Sequence, residues 1–311
     1  MLPPVLLLKT SRGNLVRAKA PKLHRSNLPI YLFLLPAILL LLVFLIPTLD
    51  AFRLALTDEA LIGIGSIDPQ FIGLLNFQDM FSDEHFYNSV YVTLMFLVLS
   101  AWIGQLLIGL GAAGVLRSRS LKLRWLPTAA IMMTMAVPET AAAFMWASIL
   151  VPNETGIANL ITSFFGADPI NWTKEFPIIA ISLINVWKGI GMAFILLAAG
   201  FEAIGDDMRE AATVDGAAGL KLFLYITLPI LAPTILLFLL LTTVGSLGTF
   251  GFVYFLTGGG PGRATEVISV YIYKTSFAHF QLGYGAAVGV VMLIISAILG
   301  VAYLKLLRVK Q

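Results

Sequence analysis

Apolar residues dominate six stretches of the chain, at about 28–49, 89–116, 125–151, 178–201, 226–256 and 284–307. Each is long enough for the roughly 20 residues a helix needs to cross a hydrocarbon core. The pattern predicts an all-α membrane protein with six spanning helices. Pro36 is tolerable in the first, because neighbouring helices can satisfy the carbonyl it frees. The fifth is too long for a straight span: residues 226–256 would extend about 46 Å at 1.5 Å per residue, against a core of about 30 Å. It must tilt, kink near Gly245, Gly248 and Gly251, or begin below the membrane at Pro229–Pro233.

Composition strengthens this picture. The 311 residues are 59% hydrophobic and 12% charged, half the charge of an ordinary soluble domain. No cysteine is present, which excludes disulfides, thiolate metal sites and cysteine nucleophiles. His24, His85 and His279 lie far apart in sequence and read as surface or interfacial residues. The net charge of +3 lacks the aromatic-interleaved arrangement of a nucleic-acid surface. Its placement instead sets orientation. Lys9, Arg12, Arg17, Lys19, Lys22 and Arg25 precede the first span; Arg117, Arg119, Lys122 and Arg124 follow the second; Arg209 and Lys221 follow the fourth; Lys305, Arg308 and Lys310 follow the sixth. The opposite side holds Arg53, Lys174, Arg263 and Lys274, and the loop 58–87 between the first two spans has acids but no Lys or Arg. Cytoplasmic loops are enriched in Lys and Arg, so both termini are expected in the cytoplasm. Residues 1–27 then form a basic cytoplasmic tail, and 28–307 one membrane domain.

The loop at 202–225 differs from the other connections in being long and mixed in charge. Asp206 and Asp207 suit the N-terminus of a short helix. That helix would run through Glu210, Ala211 and Ala212 to a break at Gly216, where the backbone can turn left-handed. A second short helix at 220–225 would follow, before an irregular start to the fifth span at Pro229 and Pro233. An ordinary helical hairpin would satisfy the same pattern. However, Glu210-Ala211-Ala212, Gly216, Ile226 and Leu228-Pro229, at their spacing, resemble the EAA motif in the membrane subunits of binding-protein-dependent ABC importers. Gly205 stands where that family often has proline.

Further stretches resemble the maltose and glycerol-phosphate type of permease: Phe71-Ile72-Gly73-Leu74 with Asn76-Phe77; Trp146 with Gly156 and Asn159; Trp187-Lys188; Leu256 to Pro261 with Thr265; and Tyr273, Phe277 and Gly283-Tyr284-Gly285. The resemblance implies a type I ABC importer permease fold, a second permease subunit, two cytoplasmic ATPase subunits that hold ATP and Mg2+, and an extracytoplasmic solute-binding protein. It also implies that Glu210, Ala211, Ala212, Asp215 and Gly216 couple the chain to the ATPase. The chain lacks a phosphate-binding G-x-x-x-x-G-K-[ST] loop and is not expected to be an enzyme or to bind a cofactor. Gly258–Gly262 reads as a flexible external turn or a contact for the binding protein.

Polar groups at membrane depth usually face a bundle interior or a polar path. Asn185 and Gly189 share one face of the fourth span, and Thr242 and Ser246 share one face of the fifth, with Phe250 beyond. They fit either a path for sugar hydroxyls or ordinary hydrogen bonding between helices. Lys188 and Glu139 are ionisable groups inside spans, so a mutual ion pair or attraction of an anionic solute by Lys188 is open. A sugar importer leads these readings. Rivals are the same machine for glycerol phosphate, polyamine or amino acid, a polytopic membrane enzyme, or a channel.

Overall fold

The computed structural model describes residues 7–9, 15–17, 28–117, 122–205, 208 and 212–309. It falls into two compact units, Met1–Asp50 and Ala51–Gln311. In the first, strands β1 (Leu7–Lys9) and β2 (Leu15–Arg17) pair antiparallel with Leu8 opposite Val16. Helix α1 (Leu28–Ala55) starts there and ends in the second unit, carrying Pro36 and Pro47 within it.

The second unit is helical. Two short helices, α2 (Ile64–Ile67) and α3 (Leu75–Ser82), precede the long α4 (Glu84–Leu116). Then follow α5 (Trp125–Ala136), α6 (Glu139–Ile149), α7 (Ile157–Ser163), α8 (Trp172–Glu175) and α9 (Pro177–Glu202). After the loop come α10 (Leu220–Leu247), α11 (Gly251–Thr257), α12 (Ile268–Tyr273) and α13 (Leu282–Val309). Among the described residues α1, α4, α9, α10 and α13 are each long and apolar enough to cross a membrane, and α5 with α6 makes a sixth span when the bent pair is counted as one.

That sixth span is not the single helix that 125–151 suggests. Its halves meet at a 114° bend. Pro138 causes it: the proline ring disfavours a helical residue before it, and Val137 is extended, with ψ of 121°. The fifth stretch is also divided. α10 stops at Gly248, Phe250 leaves the helical region with φ of −127°, and α11 restarts at Gly251. At its other end no separate short helix forms at 220–225. The chain runs from Leu220 directly into α10 through a wide turn at Phe223–Thr227, next to Pro229, which cannot donate to the preceding turn.

α4 begins at Glu84 rather than Ser89, because Asp83 caps it by accepting the His85 backbone N–H (2.8 Å). A wide π-helical stretch at Leu97–Gln105 then interrupts its 3.6-residue period, and Trp102 and Gln105 leave that stretch toward the two helices that carry the polar site.

α9 is the hub. Towards its N-terminus Ile181 and Ile184 join Phe96 of α4, Ala142 and Ala143 of α6, and Phe252 and Val253 of α11. Towards its C-terminus Ala193, Leu197 and Phe201 pack with Ala113 of α4 and Leu231 and Phe238 of α10. Lipid is as apolar as these side chains, so close contact and interhelical hydrogen bonds hold such helices together. Gly109 fits this: a Cβ there would meet Ala193 Cβ at 2.5 Å.

Candidate functional site

The bonds of Asn185 lie where α4, α9 and α10 meet. Its Nδ2 donates to Ser100 Oγ on α4 (2.8 Å) and Ser246 Oγ on α10 (3.1 Å). Gln105 Nε2 donates to the Asn185 carbonyl (2.8 Å), while Gln105 Oε1 is buried without a donor. Gly189 leaves the space that Gln105 occupies, since a Cβ at 189 would collide with the carboxamide. Beside this, Trp102 Nε1 donates to Thr243 Oγ1 (2.9 Å), and Thr243 lies 3.3 Å from the Tyr303 hydroxyl.

The structure therefore unites Asn185, Gly189 and Ser246. It keeps Thr242 apart in hydrogen bonding, because that hydroxyl returns to Phe238 O on its own helix (2.9 Å). Asn185, Thr242 and Ser246 are all buried. Ser100 and Gln105 complete the network and were not singled out from sequence. Gln105 was findable, being the one carboxamide between Ser89 and Leu116. Asn185→Ala is expected to cost about 1–2 kcal/mol, the range for interhelical polar contacts in membranes, as read by thermal unfolding of the detergent-purified chain.

Glu139 and Lys188 do not pair. Lys188 Nζ donates to the Val137 carbonyl (2.7 Å), and Glu139 Oε2 accepts the Gly251 N–H (2.8 Å). Both contacts follow from the breaks in the spans. Val137 lies past the end of α5, where its carbonyl can take an outside donor, and Glu139 stands in the first turn of α6 facing the N–H that opens α11. Gly251 has no Cβ because one would lie against the Glu139 side chain.

Gly258–Gly262 is no loose turn. Glu266 just beyond it is fully buried, and binds Arg263 Nη1 and Lys274 Nζ at 2.6 Å each. Thr265 Oγ1 donates to the Gly260 carbonyl (2.8 Å). Asn88 of α4 donates to the Arg263 carbonyl (3.1 Å), and Thr93 accepts the Ile268 N–H (2.8 Å). Other residues from the recognised stretches also lock loops. Asn76 donates to the carbonyls of Ala55 and Thr57 (2.9 and 2.8 Å). The two N–H groups of Asn159 Nδ2 are shared among the carbonyls of Val151, Asn153 and Ile170 (3.1, 3.2 and 3.0 Å), and its Oδ1 accepts from Ile170 N and Trp172 Nε1.

His85 and His279, distant in sequence, line one cavity of about 300 Å³. No group of three His, Cys, Asp or Glu among the described residues can hold a metal ion. Asp83 at the cavity wall accepts from the hydroxyls of Tyr271 (2.5 Å) and Tyr284 (3.1 Å). Partial burial pushes its carboxyl up, but the bonds from Tyr271, the His85 N–H and Tyr284 outweigh this and hold it below its ordinary value. A lowered native pKa stabilises the fold above the unfolded-state value, and that stability is lost as pH falls through the native one. Tyr271→Phe removes a donor, so its acid unfolding, followed by circular dichroism, is expected at higher pH than wild type.

In the 202–225 loop, Asp206, Asp207, Arg209, Glu210 and Ala211 lie outside the described residues. Ala212 is buried, Asp215 is exposed, and Gly216 adopts φ of +84°. The Gly216 N–H bonds Thr213 O (3.0 Å), and Ala217 N bonds Ala212 O (2.9 Å), the closing bonds of a helix that ends on a left-handed residue. Val214, Leu220 and Tyr225 are 87%, 70% and 76% exposed, an uncovered apolar surface at the end of the bundle that carries the loop.

Five apolar helices of spanning length, or six with the bent α5–α6 pair counted as one span, define a polytopic α-helical membrane protein. Residues 105–308 match the family described as binding-protein-dependent transport system inner membrane component, and the chain belongs to that family. It is similar to the trehalose/maltose transport system permease protein MalF of Thermococcus litoralis, with 34% identity covering 90% of this chain and 94% of the relative. The sulfoquinovosyl glycerol transport system permease protein SmoG of Agrobacterium fabrum is 32% identical, covering 88% of each. A solved bacterial alginate ABC transporter, in complex with an alginate pentasaccharide-bound periplasmic protein, shares the fold with a TM-score of 0.74 at 24% identity, over 90% of this chain and 93% of that one. The chain is thus a multi-pass membrane permease and not an enzyme.

Proposed function

We propose that this chain is one permease subunit of an ATP-driven importer for a sugar or sugar derivative, delivered by an extracytoplasmic binding protein. The observation that carries the reading is similarity over nearly the whole chain to permeases named for trehalose/maltose and for sulfoquinovosyl glycerol. The junction of α4, α9 and α10 agrees with it: amides and hydroxyls without fixed charge suit sugar hydroxyls better than ions. Asn185, Gly189 and Ser246 would meet the solute when the helices of the junction part during alternating access. Thr242 and Phe250 would flank them.

Both termini and the 202–225 loop are cytoplasmic in this reading, from the bias in Lys and Arg. Glu210, Ala211, Ala212, Asp215 and Gly216 are then the contacts for an ATPase subunit, to which Val214, Leu220 and Tyr225, all exposed, add apolar surface. ATP and Mg2+ belong to two such partners, and a second permease subunit completes the pathway. A rigid connection from the loop into α10 carries rotation of the ATPase into rocking of the bundle. Lys188 favours an anionic sugar derivative as a second reading, since it has no carboxylate in ion-pairing range among the described residues.

A ligand screen of the cognate binding protein tests the solute class. Tight binding of a sugar or sugar acid supports the reading, while exclusive binding of an amino acid or polyamine overturns it.

A further inference from the structure

The connection from α6 to α9 carries an apolar face that the polar junction does not use. Ile157, Leu160 and Ile161 of α7, with Phe164 at its C-cap, stand at i, i+3, i+4 and i+7 and so share one stripe. All four are exposed, as is Phe165, and the two phenylalanines reach 87% and 86%. Asn159 falls on the opposite side of the helix at 3.6 residues per turn. It is buried and tied to Val151, Asn153, Ile170 and Trp172. These bonds fix α7 about its own axis, so the stripe cannot roll inward.

The same bonds set the height of α7. The 26 residues of α9 extend about 39 Å at 1.5 Å each, against a bilayer of about 40–45 Å with its headgroups. Pro177, at the start of α9, therefore lies in the headgroup region. Trp172 stands shortly before it and packs on Phe176, with ring centroids 6.1 Å apart. An indole suits the membrane–water border, where its body is apolar and its N–H finds a partner. That N–H donates to Asn159 Oδ1 (3.0 Å), which holds α7 at the level of Trp172. An exposed stripe of large apolar side chains at this level has acyl chains within reach, and leaving it in water would be costly. Residues 150–173 include Glu154 and Asp168 but no Lys or Arg, so the contact is apolar and does not call for anionic headgroups.

We propose that α7 is an interfacial anchor, with Ile157, Leu160, Ile161, Phe164 and Phe165 dipping into the acyl boundary of the leaflet at this end of the bundle. In the orientation given above this is the outer leaflet. The inference is independent of the solute and rests only on the chain being a membrane permease. Through Asn159 and Trp172 the anchor steadies the start of α9, the hub helix, against the membrane.

The lack of cysteine gives a clean test, because a single introduced cysteine takes a nitroxide label at one place. Phe164→Cys and Leu160→Cys put labels on the stripe, and Glu154→Cys puts one on the loop before it, each in the complete importer in phosphatidylcholine nanodiscs. Power saturation of the spin signal compares relaxation by oxygen, which concentrates among acyl chains, with relaxation by a water-soluble nickel chelate. At 164 and 160 oxygen is expected to dominate and to report a depth of about 5–10 Å into the headgroup and acyl boundary. At 154 the chelate should dominate. Relaxation mainly by the chelate at 164 and 160 overturns the anchor, since the stripe would then face water. Labels there that are shielded from oxygen and chelate alike also overturn it, since a partner subunit would then cover the stripe. Neither result touches the importer reading, which stands or falls on uptake.

Discussion

Glu266→Ala is expected to lower the stability of the purified chain by about 3 kcal/mol, towards the lower end of the cost of breaking a buried ion pair. The carboxylate is 1% exposed and holds two cations at 2.6 Å, but Arg263 and Lys274 keep 32% and 28% of their side-chain surface. They can turn to water once the acid is gone, which limits the loss. The effect spreads because the Arg263 carbonyl is tied to Asn88 and the Ile268 N–H to Thr93, so the loop fastens α12 to α4. Glu266→Gln keeps acceptor and shape without the charge and should fall between wild type and alanine. Thermal unfolding in detergent reads the series, and an alanine variant as stable as wild type would show that the loop is no brace.

The second large effect concerns coupling. Gly216 holds φ of +84° with open space around a notional Cβ, so substitution there meets backbone strain rather than a clash. A left-handed residue with a Cβ costs about 1–2 kcal/mol, which a bundle of this size can absorb while the local turn changes. Gly216→Leu is therefore expected to leave the chain folded and to cut substrate-stimulated ATP hydrolysis by the assembled importer at least about tenfold, if the loop is the sole rigid link. Gly216→Asn should recover much of it, since asparagine tolerates the left-handed region. Intact assembly and stimulation in Gly216→Leu would remove the coupling role from this loop.

The spans were legible because bilayer thickness imposes a long apolar run whatever the packing. Their breaks were legible only where local chemistry marks them. Excess length announces that the fifth stretch cannot be one straight upright span, and the break at Gly248–Phe250 is one of three outcomes that length leaves open, beside tilt and a start below the membrane. Pro138 carried an equally local signal for the bend at Val137, but it sat in a run of ordinary span length and was read as continuous.

The site divided along similar lines. Asn185 with Gly189, and Thr242 with Ser246, were visible through four-residue spacing on single helices. Spacing says nothing about which face meets another helix, so Ser100 and Gln105 were missed. Glu139 and Lys188 suggested each other because both are ionisable, yet the structure answers each with a backbone group freed by a helix break. The glycine run at Gly258–Gly262 suggests mobility or a contact for a partner, whereas Thr265 bonds the Gly259 and Gly260 carbonyls and the adjoining Arg263 carbonyl is held by Asn88, far away in sequence. His85 and His279 meet at one cavity for the same reason.

The most direct test of the account is sugar uptake by sealed proteoliposomes containing this chain, its partner permease and two ATPase subunits, with loaded binding protein outside and ATP inside. Accumulation of the sugar against its gradient, dependent on both ATP and the binding protein, is the predicted result. Equilibration without ATP would make the chain a channel and contradict the account.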